Sequence, residues 1–224
     1  SPSIICADAD LGTAIPQAAM GCFFNSGQVC YAGTRLYIHR SIYEEVITGI
    51  TAVAAAQRLG ASADRGSQLG PLISERQRER VAGYVERARS SGIEALAPSA
   101  ALPEGGYYFA PTVLTNVPHD AEIAREEVFG PVLATAPFDD LDAAIALAND
   151  SPYGLAAHIF TRELTTAHRA AAALEAGTVF VNCILSADPA FPFGGMKMSG
   201  IGRENGSEVL EAYLEPKSVI VALI

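Results

Sequence analysis

A chain of 224 residues, half of them hydrophobic and 18% charged, can build a sizeable core and lies far from the compositions of disordered chains. Its formal net charge of −10 opposes polyanions, whose binding rests on phosphate neutralisation, so neither nucleic acid nor an anionic membrane is an expected partner. No apolar run reaches the roughly 20 residues that span a bilayer, and the opening SPSIICADAD has no signal-peptide pattern, so a soluble, cytoplasmic chain is expected.

Ser3–Cys6 is a short apolar run, and Asp8 and Asp10 are candidate caps for a helix reaching towards Phe24. Pro16 lies inside that helix, where it costs roughly 3 kcal/mol unless the helix kinks or begins later. Thr34–Ile38 reads as a strand, and Ser41 with Glu44 as a capping box opening a helix to about Arg58. The loop GASADRGSQLGPL then leads to Ser74, an N-cap for the helix ERQRERVAGYVERARSSG, with glycine just past its end. Arg76, Arg78, Arg80, Arg87 and Arg89 alternate there with Glu75, Glu79 and Glu86, and Glu86–Arg89 has i,i+3 spacing. That pattern predicts a solvated face and no basic patch.

Pro131–Ala136, Ala156–Phe160 and Thr178–Asn182 read as strands, separated by the alanine-rich helical stretches Leu141–Ala148 and Leu164–Leu174. Strands alternating with helices predict an α/β fold: a mostly parallel twisted sheet with flanking helices. A short helix ends near Tyr213, and Ser218–Ile224 reads as a last strand that another subunit or domain must cover.

Cys6, Cys22, Cys30 and Cys183 form no CxxC pair, and a chain this long needs no disulfide, so reduced thiols are expected. His39, His119, His158 and His168 lack ligand spacing, and no metal site is predicted. Chemistry concentrates in FFNSGQVCYAGTRL, residues 23–36. Here a cysteine occupies a glycine-flanked turn between helix and strand, and Gly27 allows close backbone approach. A thiolate adds to a carbonyl and later leaves as a thioester sulfur, which suits acyl-enzyme chemistry. A cysteine alone reads as an inert core thiol; its surroundings reverse that reading.

This stretch resembles the active-site cysteine signature of the aldehyde dehydrogenase superfamily, with Phe24, Asn25, Gly27, Gln28 and Cys30 in register. REEVFGPVL (125–133) resembles the family's cofactor motif, and FPFGGMKMSGIGRENG (191–206) its late substrate-side loop. NDSPYGLAAHIFT and GTVFVNC match further blocks in order, so the resemblance runs from Ser1 to about Val221.

The resemblance implies that Cys30 attacks an aldehyde, that the adduct passes hydride to NAD or NADP, and that water hydrolyses the resulting thioester. It implies that Glu127 accepts hydrogen bonds from the nicotinamide ribose and that Phe129 places the ring. Asn182 matches an asparagine near both, although it could equally tie down a loop. Phe24, Val29, Tyr31, Ile184, Leu185, Ala187 and Phe193 match positions lining the aldehyde tunnel, a mostly apolar wall suited to a small uncharged aldehyde. Tyr31 departs from the small residue usual there.

The cofactor-binding domain, the general base and the side-chain oxyanion donor of the family all lie upstream of Ser1, so the isolated chain is expected to be inactive. Residues 1–207 are then a catalytic domain and 208–224 a tail for assembly into a homo-oligomer, dimer or tetramer. The alternatives are a CoA-acylating semialdehyde dehydrogenase, and a non-catalytic assembly domain or proteolytic fragment. Gly200, Gly202 and Gly206 form a spacing one residue longer than a dinucleotide fingerprint and are read as a loop, with Lys197 a structural cation.

Overall fold

The computed structural model describes residues 1–99, 101–184 and 188–223. Its centre is a seven-stranded sheet in the order β3-β4-β5-β2-β1-β7-β8. The strands are β1 (Pro2–Ile5), β2 (Arg35–His39), β3 (Ala95–Leu96), β4 (Thr112–Leu114), β5 (Val132–Phe138), β7 (Ala156–Phe160) and β8 (Thr178–Val181). Every pairing is parallel except that of β3 with β4. The short ribbon of β6 (Tyr153–Gly154) with β9 (Met196–Lys197) stands apart from it.

Side chains alternate across the sheet with period two. Ile5, Leu36, Ile38, Val113, Leu133 and Phe160 face α1 (Leu11–Phe23) and α2 (Tyr43–Ala56). On the other face, Ile4, Tyr37 and Ile159 meet α5 (Leu141–Asn149) and α6 (Leu164–Ala173). Leu114, Val132 and Ala134 of that face meet α3 (Glu75–Ser90) and α4 (Glu122–Arg125). Buried Phe23 and Phe160 each contribute roughly 1.5–3 kcal/mol of burial on this account.

Several local expectations are corrected. Pro16 is internal to α1, yet it is exposed and four residues after exposed Gly12, so the carbonyl it leaves unbonded faces water. Asp10 is the N-cap position but makes no side-chain cap bond. Asp8 serves another helix instead, accepting from the Thr161 hydroxyl (2.8 Å), Arg162 N–H (2.9 Å) and Glu163 N–H (3.1 Å) at the entry to α6.

The Ser41–Glu44 capping box does not form: Ser41 bonds to the His39 ring, a single tight turn over Arg40–Ile42 intervenes, and α2 opens without a side-chain cap. Ser74 does cap α3, accepting from Gln77 N–H at 3.2 Å, and Gly92 ends the segment at φ +88°. On α3 the i,i+3 ion pair is Glu75–Arg78, while Arg87 reaches Glu122 at 2.7 Å and lies over Tyr84. Residues 214–223 form no strand; their backbone has no sheet partner among the described residues and Ile220 is almost wholly exposed.

Candidate active site

Parallel strands bring their entry loops to one end of the sheet. Cys30 precedes β2, Glu127 and Phe129 precede β5, and Tyr153 precedes β7. A cavity of about 240 Å³ opens there, lined by Gly27, Val29, Cys30, Glu127 and Phe129 among others. This is the N-terminal edge of the strands, whereas open doubly wound sheets ordinarily bind ligands at the opposite edge.

The Cys30 loop is locally strained. After α1 ends, Asn25, Ser26 and Gly27 adopt successive left-handed conformations at φ 51°, 56° and 73°. Left-handed backbone costs a non-glycine residue roughly 1–2 kcal/mol, least for asparagine. Four side-chain hydrogen bonds hold the turn. The Ser26 hydroxyl donates to Gly70 O at 2.7 Å, and Ile73 N–H donates to Gln28 Oε1 at 3.0 Å. Asn25 Nδ2 donates to Gln28 O at 3.1 Å, and Gln28 Nε2 donates back to Asn25 O at 3.4 Å. The turn presents Cys30 to solvent.

The facing loop is held equally closely. Gln77 Nε2 donates to Val128 O (3.0 Å) and Phe129 O (2.8 Å), and Arg80 donates to Val128 O at 3.2 Å. Phe129 itself is left-handed at φ 56°. A Cβ on Gly27 would overlap the Gly130 carbonyl, and one on Gly130 would collide with Val81 of α3. Helix α3 therefore registers the two loops against each other.

The other thiols have different surroundings. Burial pushes the Cys6 thiol up to about 12, with Asp8 adding to the shift, and it raises Cys22 further. Burial also raises Cys183. Cys30 alone of the four is exposed.

Phe24, Tyr31, Asn182, Ile184 and Phe193 do not line this cavity. Tyr31 turns into an aromatic chain, stacked on Phe180 at 6.1 Å and edge-on to Phe193 at 5.8 Å. Phe180 in turn stacks on buried His158 at 5.2 Å. Phe24 is half-exposed at the end of α1, and Ile184 packs against the α1 core beside Gly21. Asn182 uses both ends of its amide on the Thr161 backbone, at 2.9 and 2.8 Å, which is the loop-tying role. Leu185 and Ala187 lie outside the described residues.

In the late loop, Phe193 and Glu204 exchange backbone hydrogen bonds at 2.7 Å, and Gly200, Gly202 and Gly206 all have positive φ. Lys197 is structural: its ammonium meets Glu175 at 2.6 Å and Asn149 O at 2.6 Å.

Comparison with known proteins decides the family. The sequence model of the aldehyde dehydrogenase family matches residues 1–219. The chain belongs to the aldehyde dehydrogenase family. Betaine aldehyde dehydrogenase 2 of Rhizobium meliloti is 45% identical over 223 residues, covering 100% of this chain and 46% of that protein. The mitochondrial aldehyde dehydrogenase of Leishmania tarentolae is 43% identical over 219 residues, covering 98% of this chain and 44% of that one. An NAD+ complex of a Bacillus cereus aldehyde dehydrogenase superposes with a TM-score of 0.97 at 44% identity, over 100% of this chain and 46% of its own. This chain thus spans less than half the length of these aldehyde dehydrogenases.

Sequence reasoning missed several contributors to this cavity. Met198, Ser199 and Tyr153 line the cavity from the late loop and the β6 ribbon; only three-dimensional pairing of β6 with β9 puts them there. Arg35 and Arg125 also line it, although both are engaged elsewhere. Arg35 donates to Ala148 O at 3.0 Å, and Arg125 to Asp150 Oδ2 at 2.8 Å. Hydrogen bonds from His119 and Arg125 hold Asp150 down at about 2.

Proposed function

We propose that this chain carries the nucleophile of an NAD(P)-dependent aldehyde dehydrogenase that oxidises a small uncharged aldehyde to its carboxylic acid. The carrying observation is that Cys30, the one exposed thiol, shares a cavity with Glu127 and Phe129. An ionised carboxylate is acceptor-only, so exposed Glu127 suits ribose hydroxyls, and Phe129 offers an apolar face to a nicotinamide ring. The residues therefore fit NAD(P), which supplies the hydride acceptor when bound.

Cys30 Sγ forms a bond to the carbonyl carbon, and the oxygen takes the negative charge, for which the Cys30 backbone N–H is the donor this chain offers. Loss of hydride from that carbon leaves a thioester on Cys30, and water cleaves the C–S bond to release the acid and the thiol. An uncharged substrate is favoured because Arg35 and Arg125, the cations on the cavity wall, are already bound to Ala148 and Asp150. Of the residues read as the aldehyde tunnel, Val29 lines this cavity; Phe24, Tyr31, Ile184, Leu185, Ala187 and Phe193 are assigned to the substrate's approach on family resemblance.

Residues 1–207 make the catalytic unit in this reading. Residues 208–224 serve homo-oligomer assembly, supported by the exposure of Leu214, Val219, Ile220 and Val221. Free thiols at all four cysteines suit the cytoplasm, and among the described residues no helix is long and apolar enough to cross a membrane.

The test is NAD(P)H production from aliphatic and aromatic aldehydes by the longest natural reading frame containing this chain. Cys30→Ser should abolish most turnover with cofactor affinity nearly intact, because a hydroxyl is the poorer nucleophile and leaving group. Glu127→Gln should instead weaken cofactor binding through loss of charge-assisted bonds. Equal loss of cofactor affinity in both variants would overturn this division of roles.

A further inference from the structure

We infer that Gln28 is a positioning residue, which fixes the nucleophile by clamping the strained Asn25–Gly27 turn to the segment that leads into α3. The inference rests on Cys30 being the nucleophile, and it gives a role to a residue that does not line the cavity. Gln28 bridges two things at once. Its Oε1 accepts from Ile73 N–H at 3.0 Å, forty-five residues away, while its Nε2 donates to Asn25 O at 3.4 Å and its own carbonyl accepts from Asn25 Nδ2 at 3.1 Å.

A turn with three successive left-handed residues persists only when its surroundings over-determine it. The Ser26 hydroxyl on Gly70 O and the Gln28 amide on Ile73 N–H are its two side-chain ties to a separate segment. Ser26 anchors the middle of the turn. Gln28 stands two residues before Cys30, so it sets how the chain leaves the turn and where Sγ points. The anchoring side is itself rigid, because Ser74 caps α3 immediately after Ile73 and Gln77 of the same first turn holds the Val128 and Phe129 carbonyls. Gln28 thereby ties the thiol to the element that also holds the Glu127–Phe129 loop.

The bond can be removed from either end. Gln28→Leu deletes the acceptor, and Gln28→Glu restores an acceptor for Ile73 N–H. Ile73→Pro deletes the donor with little loss of side-chain packing, since the Ile73 side chain is 82% exposed. In the full-length enzyme, Gln28→Leu and Ile73→Pro should each lower kcat threefold or more with aldehyde KM changed less than threefold. The double variant should fall no further than the single ones, because both remove the same interaction.

Gln28→Glu should recover kcat to within threefold of the wild type. Amide exchange in the peptide 24–31 should quicken in the Leu and Pro variants and not in the Glu variant, a readout independent of turnover and of any one variant's expression. A kcat within threefold of wild type in both Gln28→Leu and Ile73→Pro, with unchanged exchange, overturns the inference. Additive losses in the double variant overturn it as well. A wild-type enzyme without Cys30-dependent turnover would instead overturn the reading of Cys30 itself.

Discussion

Gly27 and Gly130 meet backbone to backbone, with no room for a side chain on the first and Val81 pressed against the second. The contact joins the turn before Cys30 to the loop carrying Glu127 and Phe129. Gly27→Ala should therefore fail on two counts, since its φ of +73° strains an L-residue and its methyl would overlap the Gly130 carbonyl. We expect a loss of roughly 2–4 kcal/mol of stability, or a displaced loop with turnover down at least tenfold. Thermal unfolding with steady-state kinetics measures both, and a variant with wild-type melting and turnover would refute the contact's importance.

Thiol reactivity should follow exposure and burial. Cys30 is exposed, whereas burial raises the thiols of Cys22 and Cys6, the latter to about 12. Since the thiolate is the reactive form, limiting iodoacetamide should label Cys30 first, as read by peptide mapping. Preferential labelling of Cys6, Cys22 or Cys183 would count against Cys30 as the nucleophile.

Buried His158 should make stability depend on pH. Burial lowers its pKa to about 4, and its ring sits between the Ser3 hydroxyl, 3.2 Å from Nδ1, and Phe180. An unfolded histidine titrates near about 6.5. Between these values the unfolded chain holds the extra proton, so stability is fully present above the unfolded pKa and is lost as pH falls towards the folded one. Urea unfolding at about pH 7.5 and about pH 5.5 should show a decline in the wild type that His158→Phe reduces. An identical decline in the two proteins would remove His158 as its source.

Asp8 should behave as a cap for a helix remote in sequence. Its carboxylate takes the Thr161 hydroxyl and two N–H groups at the entry to α6. Burial alone would raise its pKa, but these donors hold it below the ordinary carboxylate value. Asp8→Ala should cost roughly 1 kcal/mol. The wild-type advantage should be present above the unfolded carboxylate pKa and fade as pH falls through the lower folded one. A melting temperature unchanged at neutral pH would refute the assignment.

Local chemistry was readable where short-range rules govern it. The strand and helix alternation, the Ser74 cap with Gly92 beyond, and the loop nature of Gly200–Gly206 depend on nearby residues alone, and the structure bears them out. The Ser41–Glu44 box failed because His39, two residues back, competes for the serine. Asp8 was misassigned because its partners lie more than 150 residues away.

From the sequence alone came the parallel α/β fold, and with it, through family resemblance, the proposal of Cys30 as the reactive thiol and of Glu127 with Phe129 as its companions. Each rests on periodicity or on contiguous motif spelling. The tertiary structure decided that their two loops enter neighbouring parallel strands and so converge on the N-terminal edge of the sheet. It also decided that Tyr31 faces Phe180 and Phe193, and that Gly27 is a glycine because Gly130 fills its side-chain space. These are contacts between segments far apart in the chain, and no local pattern encodes which backbone will occupy a given volume.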